Sequence, residues 1–200
     1  MKLITTATDL HDKYVIVRAS FNVPVSDGVV TDRYRIDKCL PTLQFLQESG
    51  AKVIVIGHIG REVEDTLSPV FTVLAETLPI TWGGKLDTEI FNSAHHSLKP
   101  GQLLMAENLR QDPREKANDL EFVNMIATYG EIYVNDAFDN IHREHASMVG
   151  LPKIMTAYAG INLDKEIQNL NNAMQPNQPS LFLLGGAKFE TKLPLVEKYL

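Results

Sequence analysis

The sequence predicts an α/β fold: an open, mostly parallel twisted sheet with helices on both faces. Apolar, β-branched runs of strand length alternate with amphipathic stretches of helix length along the chain. The strand runs are apolar throughout rather than at every second residue, the pattern of strands covered on both sides. The helical stretches 68–78 and 118–130 open on cap residues and 35–50 and 118–130 stop at glycines, so strand and helix succeed each other as units joined by right-handed crossovers.

Taken in order, the strand runs are "YVIV" (14–17), "KVIVIG" (52–57), "GQLLMAE" (101–107), "EIYVN" (131–135) and "SLFLL" (180–184). The first helix covers 35–50, with Ile36, Leu40, Leu43 and Leu46 on one stripe and Gly50 as its stop; Pro41 either kinks it or lies near its start. A second covers 68–78, with Ser68 as N-cap and Pro69 at the first helical position. A third spans 118–130, capped by Asn118 or Asp119 and ended by Gly130. The stretch 163–174 is helical but polar, with a narrow stripe of Leu163, Ile167, Leu170 and Met174, and "QPNQP" (175–179) reads as a linker. Residues 1–162 therefore read as one α/β unit, 163–179 as a connector, and 180–200 as a strand and helix too small to fold alone.

The 200 residues are 44% hydrophobic and 22% charged, an ordinary globular composition. A net charge of −6 argues against a nucleic-acid or anionic-membrane binder, which needs an excess of Lys and Arg. Cys39 is the only cysteine, so neither an intrachain disulfide nor a cysteine metal cluster can form. With no signal-like start and no apolar run near the roughly 20 residues of a membrane span, the expectation is a cytoplasmic protein.

Ligands of open parallel sheets bind beyond the carboxyl ends of the strands. There the sequence supplies Ser20 and Asn22 in "RASFNVP", His58 and Arg61 in "GHIGR", Arg110 in "ENLR", and His142 and Arg143 in "NDAFDNIHREHAS". Arg35 stands at the start of the first helix. Three of the seven arginines thus fall just past strand ends, and the guanidinium fork suits phosphate and carboxylate. A single arginine in such a place is most often a solvated loop charge; four converging on one sheet edge point to a small phosphorylated acid. His58 reads equally well as a core or loop histidine, and His95-His96 as surface. His142 and His145 form H-x-x-H, which a metal could use, although no third ligand stands at helical spacing. Near the end, Gly185-Gly186 follows a strand, and Lys188 and Lys192 lie one helical turn apart, an anion-attracting arrangement without Walker A spacing.

The ordered series "VRASFNVP", "DRYRI", "GHIGR", "ENLR", "VNDAF..IHREHAS" and "LLGGAKFETK" resembles phosphoglycerate kinase across nearly the whole chain. The resemblance implies a two-lobed enzyme whose N-terminal lobe binds 3-phosphoglycerate or 1,3-bisphosphoglycerate and whose C-terminal lobe binds Mg-ATP or Mg-ADP. On that reading the chain holds the substrate lobe, the interlobe helix and the first strand and helix of the nucleotide lobe, while the rest of that lobe and its magnesium ligand are absent. The resemblance further implies that Asn22, Arg35, His58, Arg61, Arg110 and Arg143 bind substrate, with Ser20 and His142 beside them. Arg35, Lys188 and Lys192 would face the transferring phosphoryl group, and Gly185 and Gly186 the nucleotide. Departures from the family pattern are Ser20 for Asp, Gly57 for Ser, Glu62 for Pro, and Asp139-Asn140 for a Gly-Thr pair. Glu62 and Asp139 are expected to weaken anion binding if they face the site. Alternatives are a non-catalytic phosphoglycerate-binding module and a metal-dependent enzyme around His58, His142 and His145. Apolar surface left by a missing lobe predicts self-association.

Overall fold

The computed structural model describes residues 2–175, Pro179 and Leu181. A short strand, β1 (Lys2–Leu3), precedes β2 (Tyr14–Arg18) and a hairpin of β3 (Val25–Ser26) and β4 (Val29–Val30). Then α1 (Tyr34–Glu48) leads to β5 (Lys52–Ile56), α2 (Ser68–Ala75) to β6 (Ile80–Gly84), and α3 (Glu89–Ser97) to β7 (Leu103–Ala106). Helices α4 (Pro113–Ala117) and α5 (Leu120–Ala127) precede β8 (Ile132–Asn135); α6 (Leu151–Ile154) precedes β9 (Thr156–Ala159), and α7 (Ile161–Met174) follows.

Seven strands form one sheet in the order β1-β9-β8-β2-β5-β7-β6, and every neighbouring pair in it is parallel. The continuous apolar runs explain themselves here. Val15, Val17, Val53, Val55, Leu103 and Met105 pack on one face with Ile36, Cys39, Leu43 and Leu46 of α1 and Val70 and Leu74 of α2. The alternate residues Ile16, Ile54, Leu104 and Tyr133 pack on the other with Phe91 of α3, Phe122, Val123 and Ile126 of α5, and Leu151 of α6. Each fully buried side chain of this size is worth about 1.5–3 kcal/mol, so neither face tolerates a polar alternation.

Pro41 sits inside α1, which continues past it to Glu48. The proline removes the N–H that would bond the carbonyl of Asp37, a residue exposed to water, so the loss is compensated by solvent. Ser68 is not the cap of α2: Leu67 holds that position, and the Glu107 carboxylate at the end of β7 accepts from Leu67 N at 2.8 Å and from Thr66 Oγ1 at 2.7 Å. Asp119 caps α5, accepting from Phe122 N at 2.9 Å. His95 and His96 lie on α3 rather than in a loop, and His95 stacks on Tyr14 with ring centroids 4.4 Å apart.

Two compact units divide the chain, Met1–Ile167 and Gln168–Leu200. The first contains the sheet. In the second, the described residues are the last turns of α7 with Gln175, Pro179 and Leu181, so the expected strand at 180–184 and the helix after it lie outside the described residues. Within the first unit the chain runs from β2 outward to β5 and on to the edge strand β6, steps back to β7 between those two, then crosses to β8 on the opposite side of β2. That reversal opens a crevice beyond the carboxyl end of β2, where an open sheet places a ligand.

Candidate anion-binding site

Arg18, the last residue of β2, is fully buried at the base of the crevice and organises it. Its Nε donates to Ser147 Oγ at 2.9 Å, and a terminal nitrogen lies 2.6 Å from His58 Nδ1. Arginine can only donate, so His58 Nδ1 accepts and its proton sits on Nε2. Burial first, and then the charge of Arg18, holds the His58 pKa far below the usual histidine value. His58 is therefore a neutral N–H donor, and its buried Nε2 has no protein partner. Ser147 passes the network on: its Oγ and N donate to the two oxygens of Glu115 at 2.6 and 3.0 Å, and its carbonyl accepts from Tyr133 OH at 2.6 Å. The fully buried Glu115 carboxylate thus lies under the cations as their counter-charge.

Above this base is an open cleft lined by Asn22, Gly60, Arg61, Arg110, Lys116, Arg143 and His145, with no carboxylate among them. Asn108, in the turn after β7, builds much of its geometry. Its Nδ2 donates to the carbonyls of Ile59 and Asp65, and its Oδ1 accepts from Ile59 N and Arg110 N, which ties the loops after β5 and β7 together. Arg110 donates to Gly60 O at 2.6 Å and Asn22 Oδ1 accepts from Gly60 N at 2.9 Å. Gly60 has φ +62°, and a Cβ there would meet the Asp65 carboxylate at 1.8 Å, so only glycine allows the turn that presents Arg61.

The cleft is electrostatically unfinished. Burial first, then Arg143 and Arg18, pushes the Arg110 pKa down from its usual value. Burial together with Arg110, Arg143 and Arg18 lowers His145 to about 4, so His145 is neutral near pH 7 despite a Glu115 oxygen 3.7 Å away. Besides His58 Nε2, the buried Nε atoms of Arg110 and Arg143 and Nδ1 of His145 lack partners. Buried polar groups are ordinarily satisfied. Three N–H donors on three different loops, set among cations, are placed where oxygens carrying negative charge could accept from them.

Ser20 and Arg35 lie in a second cleft, with Tyr34, Lys38, Phe138, Asp139, Asn162 and Glu166. Here the cation is already paired. Arg35 donates to Asp139 Oδ2 at 2.7 Å, while Asp139 Oδ1 accepts from Ser20 Oγ at 2.7 Å and Asn140 Nδ2 at 2.8 Å.

The chain belongs to the phosphoglycerate kinase family. The family model, described as phosphoglycerate kinase, matches residues 5–200. A phosphoglycerate kinase of Fervidobacterium nodosum is 41% identical over 207 residues, covering 100% of this chain and 52% of its own length. One of Roseiflexus castenholzii is also 41% identical, covering 96% of this chain and 51% of itself. The solved phosphoglycerate kinase of Pyrococcus horikoshii superposes with a TM-score of 0.88 at 30% identity over 98% of this chain and 52% of that one. That of Coxiella burnetii gives 0.81 at 32%, over 97% and 50%. The chain spans about half the length of the curated relatives it matches.

Within this phosphoglycerate kinase fold the sequence-predicted residues fall into three groups. Asn22, Arg61, Arg110 and Arg143 share the cationic cleft with His58 against its base, whereas Ser20 and Arg35 share the paired one. His142 is exposed and lines neither; His145 is the histidine of the cationic cleft, so the H-x-x-H pair does not converge. Among the described residues no group of three or more His, Cys, Asp and Glu is arranged to hold a metal. Gly185, Gly186, Lys188 and Lys192 lie outside the described residues. Glu62 is exposed and does not line the cationic cleft, and Asp139 faces Ser20 and Arg35 rather than the three arginines. A Cβ at Gly57 would lie 2.6 Å from the Phe21 ring, which fills the space a serine there would need. Sequence reasoning missed Arg18, Glu115, Lys116 and Ser147. Arg18 alone left a signal, a charge closing an otherwise apolar strand.

Proposed function

We propose that this chain carries the phosphoglycerate-binding half of a phosphoglycerate kinase, which moves a phosphoryl group between ATP and the carboxylate of 3-phosphoglycerate. The observation that carries the reading is the trio of unpartnered donors, His58 Nε2, Arg110 Nε and Arg143 Nε, beside a cleft lined by cations and no carboxylate. A phosphate dianion offers the acceptors they lack. Arg61 at the rim and Lys116 add charge without fixed geometry. Arg35, in the neighbouring cleft, is the cation available to the carboxylate end of a three-carbon acid.

Phosphoryl transfer asks a protein to position reactants and to neutralise the equatorial oxygens. The accepting carboxylate is ionised at neutral pH, so no protein base is needed. Anchoring the distal phosphate in the cationic cleft leaves the carboxylate to meet Arg35. The nucleotide enters as a magnesium complex, and Gly185, Gly186, Lys188 and Lys192 are the residues assigned to it and to the transferring group. Among the described residues no helix is long and apolar enough to cross a membrane. Val29, Tyr34, Val63, Ile90, Leu120 and Ile154 are among the exposed apolar side chains available for self-association of the chain.

Calorimetric titration of 3-phosphoglycerate into the chain, at low and moderate salt, tests the reading. One-to-one, salt-weakened binding is the expected result. Absence of binding by a folded chain overturns it. ATP-dependent turnover in a coupled assay then separates the kinase from a module that only binds.

A further inference from the structure

We propose that Asp139 is the positioning residue that turns Arg35 toward the substrate carboxylate, making it a determinant of specificity for phosphorylated acids; this rests on the functional reading above. The Asp139 carboxylate is held by three groups from different places in the chain. Ser20 Oγ, past β2, donates to Oδ1 at 2.7 Å; Asn140 Nδ2, in its own turn, donates to Oδ1 at 2.8 Å; and Arg35, in the first turn of α1, donates to Oδ2 at 2.7 Å. A carboxylate fixed from three sides is a rigid reference point, and the side chain it orients is not: Arg35 remains 43% exposed.

The manner of contact decides what the pair can do. Asp139 takes one terminal nitrogen of Arg35, NH1, and makes no bond to Nε. A guanidinium presents five N–H donors in a planar fork, and a single bond to NH1 leaves the Nε and second terminal edge for another carboxylate. Asp139 therefore tethers one end of the fork without filling it. Ser20 belongs to the device, because its hydroxyl restrains the oxygen that does not face Arg35. Lys38 and Glu166, the other charged residues lining this cleft, are not bonded to Asp139.

Two ligands that share a phosphate but differ in the carboxylate isolate the effect. For Asp139→Gly and Asp139→Asn, calorimetry should show 3-phosphoglycerate binding weakened about tenfold, the scale of one charge-assisted contact. Binding of glycerol 3-phosphate, which has no carboxylate, should be unchanged. Ser20→Asp sets two carboxylates in contact and should also weaken 3-phosphoglycerate. The double variant Ser20→Asp/Asp139→Gly returns a single carboxylate to the same place and should recover most of the affinity for 3-phosphoglycerate, while glycerol 3-phosphate binding stays level throughout, which a merely structural role would not give. Tighter 3-phosphoglycerate binding by Asp139→Gly makes Asp139 a competitor of the ligand and overturns the inference. Equal weakening of both ligands overturns it too, since the effect is then on the fold. A wild-type chain that binds neither ligand removes the functional reading itself, and this inference with it.

Discussion

The two clefts share the loops after β2 and β8, yet one is electrostatically open and the other closed on itself. The first gathers Arg61, Arg110, Arg143 and Lys116 around buried donors without partners. The second pairs its arginine with Asp139 and ties that carboxylate to Ser20. Like charges held together cost stability until a ligand arrives, whereas an ion pair made in advance costs nothing further and directs what binds. The first cleft is thus built for charge and the second for orientation. The distinction fails if removing a cation from the first destabilises the free chain as much as removing the network beneath it.

The largest effect is expected at that base. Arg18→Met leaves the buried Glu115 carboxylate without its nearest bonded route to a cation and strips His58 Nδ1 of its donor. Breaking a buried charged network from one side costs about 3–5 kcal/mol, so urea unfolding should show a loss of that order. A loss below about 1 kcal/mol would make the base dispensable and the cleft self-supporting. Next comes Arg143→Ala. Its Nε is unpartnered and its neighbours are cations, so the unligated chain should be at least as stable as wild type while affinity for 3-phosphoglycerate falls about 10- to 100-fold. Lower stability with unchanged affinity would reverse the assignment of the first cleft.

How far the sequence could be read follows the same line. The sheet was legible because burial on both faces leaves a continuous apolar run, as in Val53–Ile56. The strand Ile80–Gly84 was not, because Gly83 sits where Phe91 packs against the backbone and the run is too broken to show. The arginines beyond strand ends were legible as types at positions. That Arg35, at a helix start, lies in a different cleft from those three was not, since it depends on which loop Asp139 reaches across to. Arg18, Glu115 and Ser147 escaped because a buried network is a three-dimensional fact. Glu115 and Ser147 are 32 residues apart, and neither looks unusual in its local sequence.

A smaller effect concerns the other acid of the loop after β8. Asp136 is fully buried, with Oδ1 accepting from Leu163 N at 3.0 Å and Oδ2 without a partner. Burial raises its pKa to about 7 from an ordinary value of 3.8. Folding therefore takes up a proton between those values: the contribution to stability is fully present below about pH 4 and is lost as pH climbs through about 7. Asp136→Asn keeps an acceptor for Leu163 N and removes the titration, so its unfolding free energy should fall less than wild type's between pH 4.5 and 8. Parallel pH profiles for the two proteins would show that Asp136 stays ionised.

The smallest effect is expected at His145, and it tests where the first cleft obtains its charge. The ring lines the cleft, and protonation would add a cation to it. Three arginines and burial oppose that protonation, and together they outweigh the Glu115 oxygen 3.7 Å away, leaving a pKa of about 4. A histidine so placed binds as a neutral group at pH 7. His145→Gln should then change 3-phosphoglycerate affinity by no more than about threefold, within the worth of one neutral hydrogen bond. The pH dependence of binding between 6.5 and 8.5 should be the same in both proteins. A phosphate dianion entering the cleft adds negative charge beside the ring and pulls the other way. If it wins, wild type takes up a proton on binding, its affinity falls as pH rises through 7, and His145→Gln abolishes that slope. The cleft would then draw part of its charge from the ligand's own arrival, and the unpaired donors alone would not account for its affinity.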